Sequence, residues 1–115
     1  MDILFHFDNQ TFRAQLNQTA TAARVHEALP LAASAQVWGR EIYFEIPVAM
    51  AQEQGQETVA DGDVAYWPPG RCLCLFFGQQ PVSAVTVIGM LQGDLSGLTR
   101  VEPGSTLRVE ADSHA

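Results

Sequence analysis

Short runs in which apolar and polar residues alternate, each ended by turn-forming residues, occupy most of this 115-residue sequence. Alternation with a period of two is typical of strands that bury one face. The clearest run is residues 41–46, in which Ile42, Phe44 and Ile46 share one face. About eight such runs follow one another with turn signals between them. The sequence therefore predicts a mainly β fold: a closed barrel of about eight mostly antiparallel strands.

Residues 3–8 and 11–16 flank Asp8-Asn9-Gln10 and are predicted to form a hairpin, since Asp and Asn accept turn conformations. The polar stretch 51–62 is interpreted as an exposed loop, and we expect fraying from Asp112 onward. The other predicted strands are residues 31–38, 41–46, 64–67, 72–77, 84–91 and 106–111.

One segment, residues 19–29, has helical periodicity. Its apolar stripe is narrow and consists of Ala22, Val25, Ala28 and Leu29. Thr19 or Thr21 can cap the start of this segment as a helix, and Pro30 ends it. The sequence therefore predicts one α-helix.

Length and composition indicate a single domain over residues 1–115. The net charge is −7 and all six basic residues are dispersed arginines, so we expect no nucleic-acid partner and no membrane association. The first residues lack the basic and apolar regions of a signal peptide. Cys72 and Cys74, on one strand, would point the same way and not form a disulfide. We therefore expect a cytoplasmic protein with free thiols.

The residue types that hold metals do not occur at ligand spacing. His6, His26 and His114 are scattered, and the Cys72–Cys74 pair has no second pair to complete a site. Glu41 and Glu45 would be about 13 Å apart along one strand, too far for a two-carboxylate mechanism, and are interpreted as a solvated face. The sequence therefore predicts no metal and no cofactor, and the catalytic residues, if any, are unknown.

Four segments occur in a distinctive order: residues 38–44, residues 62–70 with the motif Tyr-Trp-Pro-Pro-Gly, residues 73–78 with Phe-Phe-Gly, and residues 85–89. Together they resemble a prokaryotic family of small cyclophilin-like proteins over the whole chain. The resemblance implies an eight-stranded barrel and no settled activity. The same barrel is similar to components of cyclic-amide hydrolases, a likeness of fold alone.

The segment Ile46–Gln52 can be laid over the Ile-Pro-x-Phe-Met-x-Gln segment of true cyclophilins. The overlay puts Phe44 where those enzymes have their catalytic arginine. A phenylalanine cannot donate to the twisted prolyl amide, which argues against prolyl isomerase activity.

Aromatic residues provide the strongest functional signal. If Leu73, Leu75 and Phe77 face inward, alternation places Cys72, Cys74 and Phe76 on the outer face, a register that a one-residue slip would reverse. We expect the ligand-binding residues to be Tyr43, Trp67, Arg71 and Phe76, with Arg71 suited to an anionic or amide-bearing ligand. The alternative is that the helix covers this face.

The predicted function is the binding of a small molecule or peptide on this outer face. An enzyme or enzyme subunit (a prolyl isomerase, or an accessory component of a cyclic-amide hydrolase) is the first alternative. An oligomeric structural protein is the second, so a homo-oligomer is possible. The Trp67–Pro68 or Pro68–Pro69 bond is a candidate cis peptide, because it lies in a predicted tight turn.

Overall fold

The computed structural model describes residues 1–112, which form nine strands and one α-helix. The helix α1 spans Ala20–Glu27, and short 3₁₀ helices span Pro68–Gly70 and Ser96–Arg100. Residues 113–115, including His114 and most of the tail for which fraying is predicted, lie outside the described residues. The strands are β1 (Asp2–His6), β2 (Thr11–Leu16), β3 (Leu31–Ser34), β4 (Gln36–Trp38), β5 (Glu41–Glu45), β6 (Asp63–Trp67), β7 (Cys72–Phe76), β8 (Thr86–Gln92) and β9 (Thr106–Ala111).

All nine strands belong to one antiparallel sheet with the order β3-β9-β1-β2-β8-β6-β7-β5-β4. The two end strands, β3 and β4, are neighbours in sequence and are joined by Ala35 alone. The sheet therefore curls until its ends meet, which gives a nearly closed barrel. This confirms the predicted fold class.

The ninth strand arises because the predicted strand 31–38 divides in two. Ala35 is fully buried; its N–H donates to the Ser105 carbonyl at 2.8 Å, and its own carbonyl accepts from Gly104 N–H at 2.7 Å. These bonds hold the chain at a corner, so that β3 pairs with β9 while β4 pairs with β5. Nothing in Ser34-Ala35-Gln36 marks a turn, so the sequence pattern could not show this corner.

Alternation along the strands fills the barrel interior, as predicted. Ile42 and Phe44 on β5, and Ile46 directly after it, are buried, and the Phe5 and Phe44 rings meet edge to face at 6.2 Å. The main core is the buried cluster inside the barrel, and its largest fully buried members are Tyr66, Phe5, Phe44, Ile3, Ile42, Leu73, Leu75, Ile88, Leu98 and Leu107.

The helix begins where predicted and is two residues shorter at its end. The Thr19 hydroxyl accepts from the Ala22 N–H at 3.1 Å and caps it. From the loop 46–62, the Glu53 carboxylate accepts from the N–H groups of Ala20 and Thr21, and these hydrogen bonds lower the pKa of Glu53. Ala22 and Val25 pack into the main core. The helix therefore does not cover the outer aromatic face, and that alternative is wrong.

The predicted cis peptide lies elsewhere. Among residues 1–112 the cis bond joins Leu29 to Pro30, so the assignment to Trp67–Pro68 or Pro68–Pro69 is wrong. Pro68 and Pro69 instead begin a 3₁₀ turn, where a fixed φ near −65° and the missing N–H are tolerated.

The predicted fraying is also wrong at Asp112. Its N–H donates to the Asp2 carbonyl at 2.9 Å, and its buried carboxylate pairs with Arg13 at 2.5 Å.

No helix within residues 1–112 is long and apolar enough to cross a lipid bilayer.

Candidate functional site

Strands β5, β6 and β7 carry a second, smaller apolar cluster on the face opposite the main core. The register of β7 is the predicted one: Leu73, Leu75 and Phe77 join the main core, and the alternate residues point the other way. This outer cluster consists of Ala65, Cys72, Cys74, Phe76 and Val85.

A groove with a volume of about 220 Å³ lies against the outer cluster. We call it the aromatic groove. It lies between the strand face and the loop 78–85 that precedes β8, and it is mostly apolar. Its lining residues are Trp38, Glu41, Tyr43, Trp67, Cys74, Pro81, Val82 and Val85.

The aromatic walls are fixed by strand register and by one turn. Tyr43 lies opposite Cys74 across the β5–β7 pair. The Trp67 indole N–H donates to the Ser83 hydroxyl at 2.7 Å, which ties the end of β6 to the covering loop. Gly70 lies under the indole ring, and a Cβ there would come within 2.7 Å of a ring carbon. Only glycine fits this position without displacing Trp67.

The structure brings two of the four predicted ligand-binding residues to the groove wall. Tyr43 and Trp67 line it and are partly exposed. Phe76 lies on the predicted face but is fully buried, so it forms the floor of the outer cluster and offers a ligand no surface.

Arg71 does not line the groove. It follows the Pro68–Gly70 turn with φ of +53° and is exposed. The left-handed conformation reverses the chain at this point, and sequence alternation carries no information about such a turn.

Sequence reasoning missed Glu41. It was expected on a solvated face, yet only 7% of it is exposed, and it lines the aromatic groove. Burial raises the pKa of Glu41, and a hydrogen bond from the Cys74 thiol opposes that rise. Alternation assigned Glu41 to the correct face of β5; what it could not show is that the loop 78–85 covers this end of the face.

Both cysteines are buried, and both are free thiols, as predicted. Burial is the main cause that raises the pKa of Cys74 far above its usual value, and the neighbouring Glu41 adds to the rise. The pKa of Cys72 is also raised, by burial first and by Glu45 and Glu41 next. Reactive thiols usually have lowered pKa values, whereas the pKa values of Cys72 and Cys74 are raised.

A second concavity adjoins the groove along β5, with a volume of about 430 Å³. Tyr43 belongs to both and separates them. The second concavity is more polar, and its other lining residues are Ser34, Gln36, Phe44, Glu45, Gly70 and Cys72.

Neither His6 nor His26 belongs to a ligand cluster. The His6 ring bonds to the Thr11 hydroxyl at 3.0 Å and to the Glu110 carboxylate at 2.8 Å, while His26 lies on α1. Within residues 1–112, no three His, Cys, Asp or Glu side chains are grouped so as to hold a metal ion.

Comparisons with known proteins agree with this architecture. The chain is similar to the hypothetical protein AF2241 from Archaeoglobus fulgidus, whose solution structure matches with a TM-score of 0.85 and 35% identity. That match covers 97% of this chain and 95% of AF2241.

A more distant likeness links the chain to McbB, solved in complex with tryptophan, with a TM-score of 0.74 and 13% identity. It covers 98% of this chain and 45% of McbB, and at this identity it shows a shared fold. No curated protein matches the chain. The family model described as "Cyclophilin-like" matches residues 1–110, and the chain therefore belongs to the cyclophilin-like family.

Proposed function

We propose that this domain binds a small, mostly apolar ligand in the aromatic groove. The observation that carries the proposal is that the outer face of β5–β7 is walled by three aromatic side chains and is not packed shut. Trp38 is 46% exposed and Val82 is 72% exposed at the rim, whereas the Phe76 floor is fully buried. Concave, mostly apolar surfaces with a few polar groups are typical of small-molecule sites.

The size of the groove limits what it can hold. Its volume of about 220 Å³ is below the roughly 300–1,000 Å³ usual for drug-sized ligands. We therefore expect a ligand with a single ring, or one side chain of a peptide. Extension of a peptide past Tyr43 would bring it to the second concavity.

The prolyl isomerase alternative finds little support in the groove. Phe44, at the position overlaid on the catalytic arginine, is fully buried in the main core. None of the described arginines lines the groove, so it presents no cationic donor to a prolyl amide. Cys74, the thiol that lines the groove, is also a poor candidate for a nucleophile, because burial raises its pKa.

The experiment is a titration of the whole chain, followed by amide and indole N–H chemical shifts, with a set of single-ring compounds that are neutral, cationic or anionic. We expect shifts at Tyr43, Val85 and the Trp67 indole. Tyr43→Ala should weaken binding about tenfold, since it removes one aromatic wall. Arg71→Gln is the matched control and should leave the affinity unchanged.

Absence of binding, or shifts away from the groove that are unaffected by Tyr43→Ala, would overturn the proposal. The same samples, examined by sedimentation velocity, test the accessory-subunit and oligomer alternatives. Self-association that protects Trp38 and Val82 would favour an oligomeric protein.

A further inference from the structure

The aromatic groove contains a carboxylate that forms no ion pair with any cationic side chain among residues 1–112. Glu41 is 93% buried, yet no Arg or His nitrogen of residues 1–112 lies within 4 Å of its oxygens. A buried charge is costly unless it is paired. At a binding site, a ligand that carries a positive charge can supply the partner that such a carboxylate lacks.

The nearest arginine in sequence is engaged elsewhere. Arg40 Nε donates to the Phe77 carbonyl at 2.9 Å, and its guanidinium lies over the Phe77 ring, 5.4 Å from the centroid. The partner that Glu41 does have is the Cys74 thiol, a weak donor. A carboxylate has about four lone-pair positions, so acceptor capacity is left over for a ligand.

The surroundings of this carboxylate are aromatic. Trp38, Tyr43 and Trp67 line the same groove, and aromatic faces attract organic cations through their quadrupoles. The net charge of −7 also raises the local concentration of cations. Arg71, the residue expected to hold an anion, lies outside the groove.

We propose that the ligand is a small organic ammonium ion: a primary amine with one ring, whose ring contacts the aromatic walls and whose N–H donates to Glu41. This inference rests on the proposed function and adds the chemical class of the ligand. It reverses the ligand charge expected from the sequence, because the charged group in the groove is Glu41 and not Arg71.

Three probes of similar shape test it at pH 7: phenethylamine, which is cationic, 2-phenylethanol, which is neutral, and phenylacetate, which is anionic. For the unmodified chain we expect phenethylamine to bind at least about tenfold more tightly than 2-phenylethanol, and phenylacetate to bind most weakly. This comparison needs no variant and so does not depend on one that folds.

Two matched variants then locate the effect. Glu41→Gln keeps the shape of the side chain and should abolish the preference for phenethylamine. Glu45→Gln removes an exposed carboxylate from the same strand and should retain the preference, because Glu45 does not line the groove.

The outcomes separate the two proposals. If none of the three probes shifts the groove residues, the proposed function fails. If 2-phenylethanol binds as tightly as phenethylamine, the groove remains a binding site and the ammonium inference is wrong. A preference that survives in Glu41→Gln, or that disappears in Glu45→Gln, also overturns the inference.

Discussion

The two faces of strands β5–β7 differ in composition and in how completely they are packed. The inner face contributes Ile42, Phe44, Leu73 and Leu75, all fully buried and apolar. The outer face places carboxylates, a phenol and thiols beside apolar groups and leaves an open groove. The inner face is closely packed with apolar side chains. The outer face has polar groups in buried positions, where they cost stability unless they are hydrogen-bonded or paired. Alternation therefore lets one set of strands hold the fold and shape a site.

The test with the largest expected effect compares the same type of substitution on the two faces. Phe44→Ala should reduce the free energy of unfolding by about 3–5 kcal/mol, because the enclosed main core cannot collapse around the cavity. Phe76→Ala, at an equally buried residue, should cost about 2–3 kcal/mol, because the covering loop and water can enter the space. Urea unfolding measures both, and equal losses would contradict the contrast.

The thiols of the outer face offer the second test. In the folded protein we expect Cys74 to react with iodoacetamide at pH 8 at least about a hundredfold more slowly than in urea, since burial and Glu41 oppose thiolate formation. Cys72, less deeply buried, should react faster than Cys74. Mass spectrometry of digested samples resolves the two sites. Rapid modification of Cys74 in the native state would contradict the expected protection of this thiol.

The third test alters the groove wall without touching the main core. Gly70→Ala should cost about 1–2 kcal/mol and displace Trp67, because the new Cβ would overlap the indole ring. Trp67 fluorescence and urea unfolding report the two effects. In a Trp67→Ala background the same change should be nearly neutral. A cost that persists there would point to the backbone as its cause.

The smallest expected effect concerns Glu41 and pH. Its folded pKa lies above the usual 4.5, so the folded state holds the proton more tightly and stability falls as pH rises from about 4.5 through the raised pKa. Glu41→Gln should therefore be more stable than the unmodified protein at pH 7, by about 0.5–1 kcal/mol, and the gain should shrink towards pH 4. Urea unfolding at the two pH values measures this.

Glu45→Gln provides the control for that measurement, since it removes one negative charge, as Glu41→Gln does, at an exposed site on the same strand. A gain of equal size in Glu45→Gln would mean that general repulsion, not burial of Glu41, is responsible.

Much of the fold follows from local patterns. The β1–β2 hairpin, the helix and the inward residues of β5, β7 and β9 were predictable, because each is specified by residues a few positions apart. The corner at Ala35 was not, because it depends on hydrogen bonds to residues about 70 positions away. The division of one predicted strand into two is a tertiary effect.

The sequence predicted which face of the sheet carries the site, but not which side chains on that face are accessible. Alternation placed Tyr43 and Phe76 on the outer face, where the structure has them. It could not show that the loop 78–85 and Trp67 cover that face, which buries Phe76 and Glu41. The sequence therefore drew attention to Arg71, which lies outside the groove, and not to Glu41, which lines it.

The place of β9 in the sheet has a consequence for biosynthesis. This strand lies between β3 and β1, both of which precede it in the sequence and are made before it. A nascent chain on the ribosome must therefore hold both early strands without their shared neighbour until residues 106–111 emerge. The barrel can therefore close only after residues 106–111 have been made, and synthesis interrupted before them would leave β3 without its partner and β1 with one unpaired edge, as targets for chaperones or proteases.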